Sequence, residues 1–205
     1  MAIVEEAGIE ADFGHRAEAA KGATAALAIS SGPDVMYWAA RTLALVGDAS
    51  HAETLIAELA KRRPEDVIVR SVEAPEVRAI NEINHGNPAK AIELLQSATP
   101  YEGRLWGVGV RCTRGNAYLR AGRGAEAAQE FQKILAVAPS LAIGIRTPNG
   151  ALVSLAHLRL ARAYALQGDK AKSRMAYQDF FALWKDADQD IPVLKEAKAE
   201  YAKLK

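Results

Sequence analysis

The sequence predicts an all-α fold: an α-solenoid of about five helical hairpins, finished by a C-terminal capping helix. Three observations carry that expectation. Half of the 205 residues are apolar, and within that half 42 alanines stand against 13 aromatic residues, a balance that suits closely packed helices. Five glycines, Gly14, Gly47, Gly86, Gly122 and Gly168, follow apolar runs at spacings of 33, 39, 36 and 46 residues, the period range of helical repeats. Around each glycine the same residue types recur at helical offsets. Small residues stand seven before it (Ala7, Ala40, Ala79, Gly115, Ala161) and five after it (Ala19, Ala52, Ala91, Ala127, Ser173). Nine after come Ala23, Ile56, Leu95, Phe131 and Tyr177, and twelve after come Ala26, Leu59, Ala98, Ile134 and Phe180.

Taken in order, the hairpins cover about 1–32, 33–66, 72–103, 108–139 and 154–187, in one domain spanning 1–205. Each glycine is suited to end a first helix in the left-handed conformation. Asp48 and Asp169 are placed to cap the second helices, as is Asn87, with Pro88 in the favoured first turn. The small residues flanking each glycine let the two helices cross closely. Three stretches interrupt the register: Val67 to Ala74, Tyr101 to Gly109 with Trp106 among three glycines, and Ser140 to Leu152 with turn-like Thr147 to Gly150. They lie between repeats, where they either tolerate insertion as loops or fold over one end of a groove. After the polar break Asp186 to Asp190, Ile191-Pro192 opens a last helix over 191–205. Val193, Leu194, Ala197, Tyr201 and Leu204 fall on one side of it, and Lys195, Glu196, Lys198, Glu200 and Lys203 on the other. That pattern is expected of the helix that solvates the exposed end of a repeat stack.

Other features narrow the function. Charge is balanced, 26 basic against 25 acidic residues, which argues against a coat for nucleic acid or anionic membrane. No run reaches the roughly 18 to 20 apolar residues of a membrane span, and Met1 to Glu10 carries acids where a signal peptide needs basic residues. The chain therefore reads as soluble, with cytoplasmic and extracytoplasmic placement both open, and as a monomer or weak homodimer. Cys112 is the only cysteine, so no internal disulfide is possible. It reads as a packed thiol, or, if exposed beside Arg111 and Arg114, as one with a lowered pKa. The histidines, His15, His51, His85 and His157, have no i, i+4 ligand partner, so no local zinc site and no cofactor is expected. Gly103, Gly107 and Gly109, and the pair Gly122 and Gly124, follow no strand of a βαβ unit. No nucleophile is recognisable beside a base.

The stretch Gly115-Asn-Ala-Tyr118-Leu-Arg-Ala-Gly122-Arg-Gly-Ala-Glu-Ala127-Ala-Gln-Glu-Phe131, ending at Pro139, resembles a tetratricopeptide repeat, as does Leu160 to Tyr177. Tyr37 to Pro64 matches well, and the segments around Gly14 and Gly86 less closely, with Glu10 and Glu82 standing where Tyr118 and Tyr164 stand. The phrases at 37–45, 89–95, 121–135 and 161–169 resemble the C-terminal tetratricopeptide module of bacterial eukaryotic-like serine/threonine protein kinases, although the kinase motifs themselves are missing.

The resemblance implies a non-catalytic module whose first helices line a concave groove that takes a protein or peptide ligand. Residues thirteen, ten, six, three and two before the glycines are then expected to face the groove. They supply Tyr37 and Leu158 as apolar anchors and Arg41, Asn116 and Arg162 as polar readers, with Glu73, Glu76, Ile80, Asn84, Cys112 and Arg120 completing the lining. The slots of a carboxylate clamp hold Tyr37 with Arg41, Glu73 with Val77, and Cys112 with Asn116. Only Asn116 suits that role. The other reading is a small-molecule site, natural or engineered, enclosed by the groove, Trp106 and the 140–152 stretch, with Glu73, Glu76 or Cys112 as its polar groups.

Overall fold

The computed structural model describes residues 1–103, 106–141 and 148–204; the side chains of Trp106, Ser140, Leu141, Pro148 and Asn149 lie outside that description. Eleven α-helices follow one another: α1 (Ala2–Phe13), α2 (Arg16–Ile29), α3 (Pro33–Val46), α4 (Ala49–Arg62), α5 (Ala74–Asn84), α6 (Pro88–Leu94), α7 (Trp106–Arg120), α8 (Gly124–Val137), α9 (Pro148–Leu166), α10 (Lys170–Leu183) and α11 (Pro192–Ala202). Each packs on its neighbours in sequence, and the odd-numbered helices from α1 to α9 each pack on the next. No strand occurs among the described residues. This is the all-helical, α-solenoid-like arrangement expected.

The five register glycines all have positive φ, from 72° at Gly122 to 97° at Gly14. At Gly47 the reversal is complete: its N–H and that of Asp48 return to the carbonyls of Ala44 and Leu43, satisfying the end of α3. The Asp48 carboxylate then accepts from the His51 N–H, and Asp169 does the same for Lys172. Asn87 departs from this expectation. Its amide donates to Glu82 at 2.9 Å and makes no cap bond.

The small residues lie at the helix crossings. Ala40, Ala79, Ala161, Ala19, Ala52, Ala91, Ala127 and Ser173 are fully buried, and in the fifth hairpin the Ser173 hydroxyl donates to the Ala161 carbonyl at 2.9 Å. Gly115 fills the same slot in the fourth hairpin, where a Cβ would fall 2.6 Å from the Phe131 ring. All residues nine and twelve after the glycines are buried. They contribute to three apolar clusters stacked along the solenoid, one in the first three hairpins, one between the third and fourth, and one joining the fourth, fifth and α11.

The irregular stretches are largely helical. Residues Val69–Glu73 form a π-helical turn leading into α5, begun by the Asp66 carboxylate, which accepts from the N–H groups of Ile68 and Val69. A π turn absorbs extra residues without breaking the helix, so the third hairpin starts earlier than 72. Residues Leu95–Tyr101 are 3₁₀-helical, and α7 starts at Trp106, inside the stretch expected to be irregular. The fifth hairpin's first helix starts at Pro148 instead of 154, so Pro148 to Gly150, which read as a turn, form its first turn, with proline tolerated there. The remainder of the 140–152 stretch, 142–147, and residues 104–105 lie outside the described residues. On α11, Val193, Leu194 and Ala197 are buried against the fifth hairpin, as the cap reading requires, while Tyr201 and Leu204 are partly buried.

Ala52→Leu or Ala127→Leu overpacks a crossing with no free volume. Each should cost about 1 to 3 kcal/mol, read as a lower midpoint in urea unfolding; an unchanged midpoint in both would show that these alanines do not set the helix separation.

Candidate functional site

The first helices do not stand as an open arc. Besides packing on α3, α1 packs on α9, so α1, α3, α5, α7 and α9 form a closed circuit. At the junction the Phe13 ring meets Trp184 edge-on at 4.8 Å, and Gly14 lies against Pro192, where an added Cβ would sit 2.9 Å from the proline's own.

A polar hub fills the centre of the circuit, and every first helix contributes to it. The Asp12 carboxylate accepts from Arg41 at 3.4 Å and from Arg159 at 3.1 Å. Arg41 also donates through Nε to Glu76 at 3.3 Å, and Glu76 accepts from the Tyr37 hydroxyl at 2.9 Å and the Thr113 hydroxyl at 3.1 Å. Arg159 in turn lies 3.0 Å from the Cys112 sulfur. The Asp12, Arg41 and Glu76 side chains are 5%, 3% and 1% exposed. Gly109 is needed beside them, because a Cβ there would reach Glu76 at 3.0 Å. Removing one partner from such a set strands a charge away from water.

The groove expectation is therefore corrected for most of its residues. Tyr37, Arg41, Glu73, Glu76, Ile80, Cys112 and Leu158 are buried: the apolar anchors belong to the core, Arg41 and Glu76 belong to the hub, and Glu73 is buried at the end of the π-helical turn. Asn84 donates to the Ala44 carbonyl at 2.8 Å and so serves the end of α3. Burial, outweighing the pull of Arg159 and Arg41, pushes the Cys112 thiol up. Arg111 and Arg114, adjacent in sequence, turn instead to Glu102 and Glu130. Burial also raises Glu73 to about 8, with Asp66, Asp34 and Glu76 adding repulsion. Among the described residues no three His, Cys, Asp or Glu side chains gather into a metal-holding group.

Where the first helices approach their glycines, the groove stays open. A cavity of about 670 Å³ is lined by Ile83 of α5, by Asn116, Leu119 and Arg120 of α7, by Arg162 and Leu166 of α9, and by Glu200 of α11 with Lys203 just after it. Of the site residues predicted from the sequence, Tyr37, Arg41, Glu76 and Cys112 meet in the hub, while Asn116, Arg120 and Arg162 meet at this cavity. Arg162 is already engaged, donating to Glu200 at 2.9 Å and to Glu196 at 3.4 Å. Glu200 also accepts from the Tyr177 hydroxyl at 2.7 Å. Burial, then this bond, pushes that phenol well above its ordinary pKa. Arg120 and Lys203 are exposed and form no ion pair among the described residues. Sequence reasoning missed Glu200 and Lys203, which it assigned to a solvated face, and Asp12, Thr113 and Arg159. Asp12 lies two before Gly14, a groove offset, and was open to the same rule. Arg159, nine before Gly168, fits none of the offsets.

Comparison of the chain with protein-family models, with curated proteins and with solved structures returns no match.

Two outcomes follow from these buried charged groups. Asp12→Ala leaves Arg41 and Arg159 without their shared carboxylate and should cost about 3 to 5 kcal/mol in denaturant unfolding; a loss below about 1 kcal/mol would place ring closure elsewhere. The folded chain holds a proton on Glu73 that the unfolded chain releases near its ordinary pKa, so this group makes stability fall as pH rises from about 4.5 to about 8, then level off. Glu73→Gln should remove that decline and be the more stable form at pH 8.5 by at least about 1 kcal/mol; parallel stability curves for the two proteins would refute the assignment.

Proposed function

We propose that the chain is a non-catalytic protein- and peptide-binding module, and that its ligand enters the cavity between α7, α9 and α11. By the tetratricopeptide resemblance it would serve as the interaction or sensory end of a bacterial serine/threonine kinase. The observation that supports this reading is the pairing of two exposed cations, Arg120 and Lys203, which form no ion pair among the described residues, with the apolar wall of Ile83, Leu119 and the 52%-exposed Leu166. An exposed apolar surface rimmed by charge is typical of a recognition site. Asn116, half-buried and without a hydrogen bond among the described residues, adds an amide for a main-chain or carboxylate group. The preferred ligand is thus a segment with apolar side chains and a carboxylate.

The closed circuit favours a second reading. A volume of about 670 Å³ lies within the usual range for small-molecule sites, about 300 to 1,000 Å³, so a small amphipathic anion would also fit.

Panning a display library of random twelve-residue peptides on the full chain tests the first reading. Enriched sequences should combine Asp or Glu with apolar residues and lose at least tenfold in affinity for the Arg120→Glu/Lys203→Glu double variant. No enrichment, or binding indifferent to the double variant, would remove this site; full affinity retained by dipeptides cut from the selected sequences would favour the small anion.

A further inference from the structure

We propose that the groove's partner is an amphipathic helix carrying two carboxylates one turn apart, and that α11 is a resident stand-in which this helix displaces from Arg162. The inference rests on the binding-module reading above and adds to it the form of the ligand and the element that yields.

The attachment of α11 is uneven along its length. Its first half is anchored by apolar burial, with Val193 9%, Leu194 1% and Ala197 0% exposed. Its second half is held mainly by polar and edge contacts. Glu200 engages Arg162 and Tyr177, the Gln178 amide reaches the Tyr201 hydroxyl at 3.3 Å, and Arg174 donates to the Leu204 carbonyl at 2.6 Å. The Tyr201 ring rests edge-on against Tyr177 and Phe181, with centroids 5.8 and 5.5 Å apart. Such a helix can lift its last turns while its first turn stays docked, because local opening follows the weakest contacts.

What those last turns release is a matched receptor. Glu196 and Glu200 stand four residues apart on one helical face, and both reach the same guanidinium, Arg162. Their side chains are 66% and 36% exposed, so each pair is worth little on its own, and a pair from outside displaces them when its helix brings further contacts that offset the cost of association. Glu200 is the sole acid lining the cavity among the described residues, against Arg120, Arg159, Arg162 and Lys203. Once it leaves, Arg162 keeps only its 3.4 Å contact to Glu196, and it faces the groove together with Arg120. An incoming helix then gains a carboxylate contact to Arg120 that α11 does not make, while its apolar side meets Leu119 and Leu166.

The test uses the full chain and its Glu196→Gln/Glu200→Gln variant. The probe is a fluorescein-labelled synthetic peptide of residues 191–205 with its lysines 195, 198, 203 and 205 replaced by glutamine. The variant should bind the probe at least tenfold more tightly than the unaltered chain, and binding should weaken as salt rises. A probe that also carries Glu196→Gln and Glu200→Gln should lose at least tenfold. Hydrogen exchange should quicken in the variant over 200–204, with 193–197 still protected, which separates release of the last turns from unfolding. Equal affinity of the two chains, or equal binding of the two probes, would overturn the proposal. If library-selected peptides still bound in an Arg120-dependent way, the binding-module reading would survive that failure; if nothing bound either chain, both would fall.

Discussion

Asp12 shares one buried carboxylate between Arg41 and Arg159, and the closed form of the molecule depends on that sharing. The three residues belong to the first, second and fifth hairpins, so a single anion bridges segments 147 residues apart in the chain. Water is excluded from the hub, which makes an unpaired charge there expensive and a paired one highly selective for its arrangement. The second carboxylate, Glu76, balances the second face of Arg41 and takes hydrogen bonds from Tyr37 and Thr113. Glu73, at the end of the π-helical turn, forms no ion pair among the described residues, and burial, outweighing the pull of Arg63, pushes its carboxyl up to about 8.

Closure divides the concave side in two. Away from the glycines the first helices converge on the hub, and the side chains that an open arc would offer to a ligand are spent on one another. Near the glycines the helices diverge enough to leave a cavity whose far wall is α11. The charge pattern differs between the halves for a physical reason: inside the hub the two carboxylates and two guanidinium groups neutralise each other, while at the solvated cavity Arg120 and Lys203 can stay unpaired at little cost. Arg162 sits at the boundary, half-engaged by a helix whose own anchorage is elsewhere.

Local chemistry was readable because it acts over a few residues. A glycine after an apolar run, with a small residue seven before and five after, specifies a left-handed reversal and a close crossing, and all five units follow it, with Gly115 and Ser173 in place of alanine in the last two. Asn87 shows how far that reasoning reaches: its capping role was lost to Glu82, a competitor only the folded turn brings near. The start of α9 was hidden because Pro148, Asn149 and Gly150 are turn formers that a first helical turn also accepts. Within the site, Asn116, Arg120 and Arg162 were legible from their offsets. Tyr37, Arg41 and Cys112 have equivalent offsets and were buried all the same, since an offset names a face of a helix and says nothing of what covers it.

The sequence by itself determined the number of hairpins, the placement of their turns, the residues at each crossing and the amphipathic last helix, all properties of spacing within one or two helices. Tertiary structure alone decided that the arc closes, that Asp12 meets Arg159, and that Glu200 occupies Arg162. The reason is cumulative geometry. In a stack of helical hairpins the rotation of each unit against the last accumulates, and only the sum over the chain decides whether the first helix meets the ninth, as it does here.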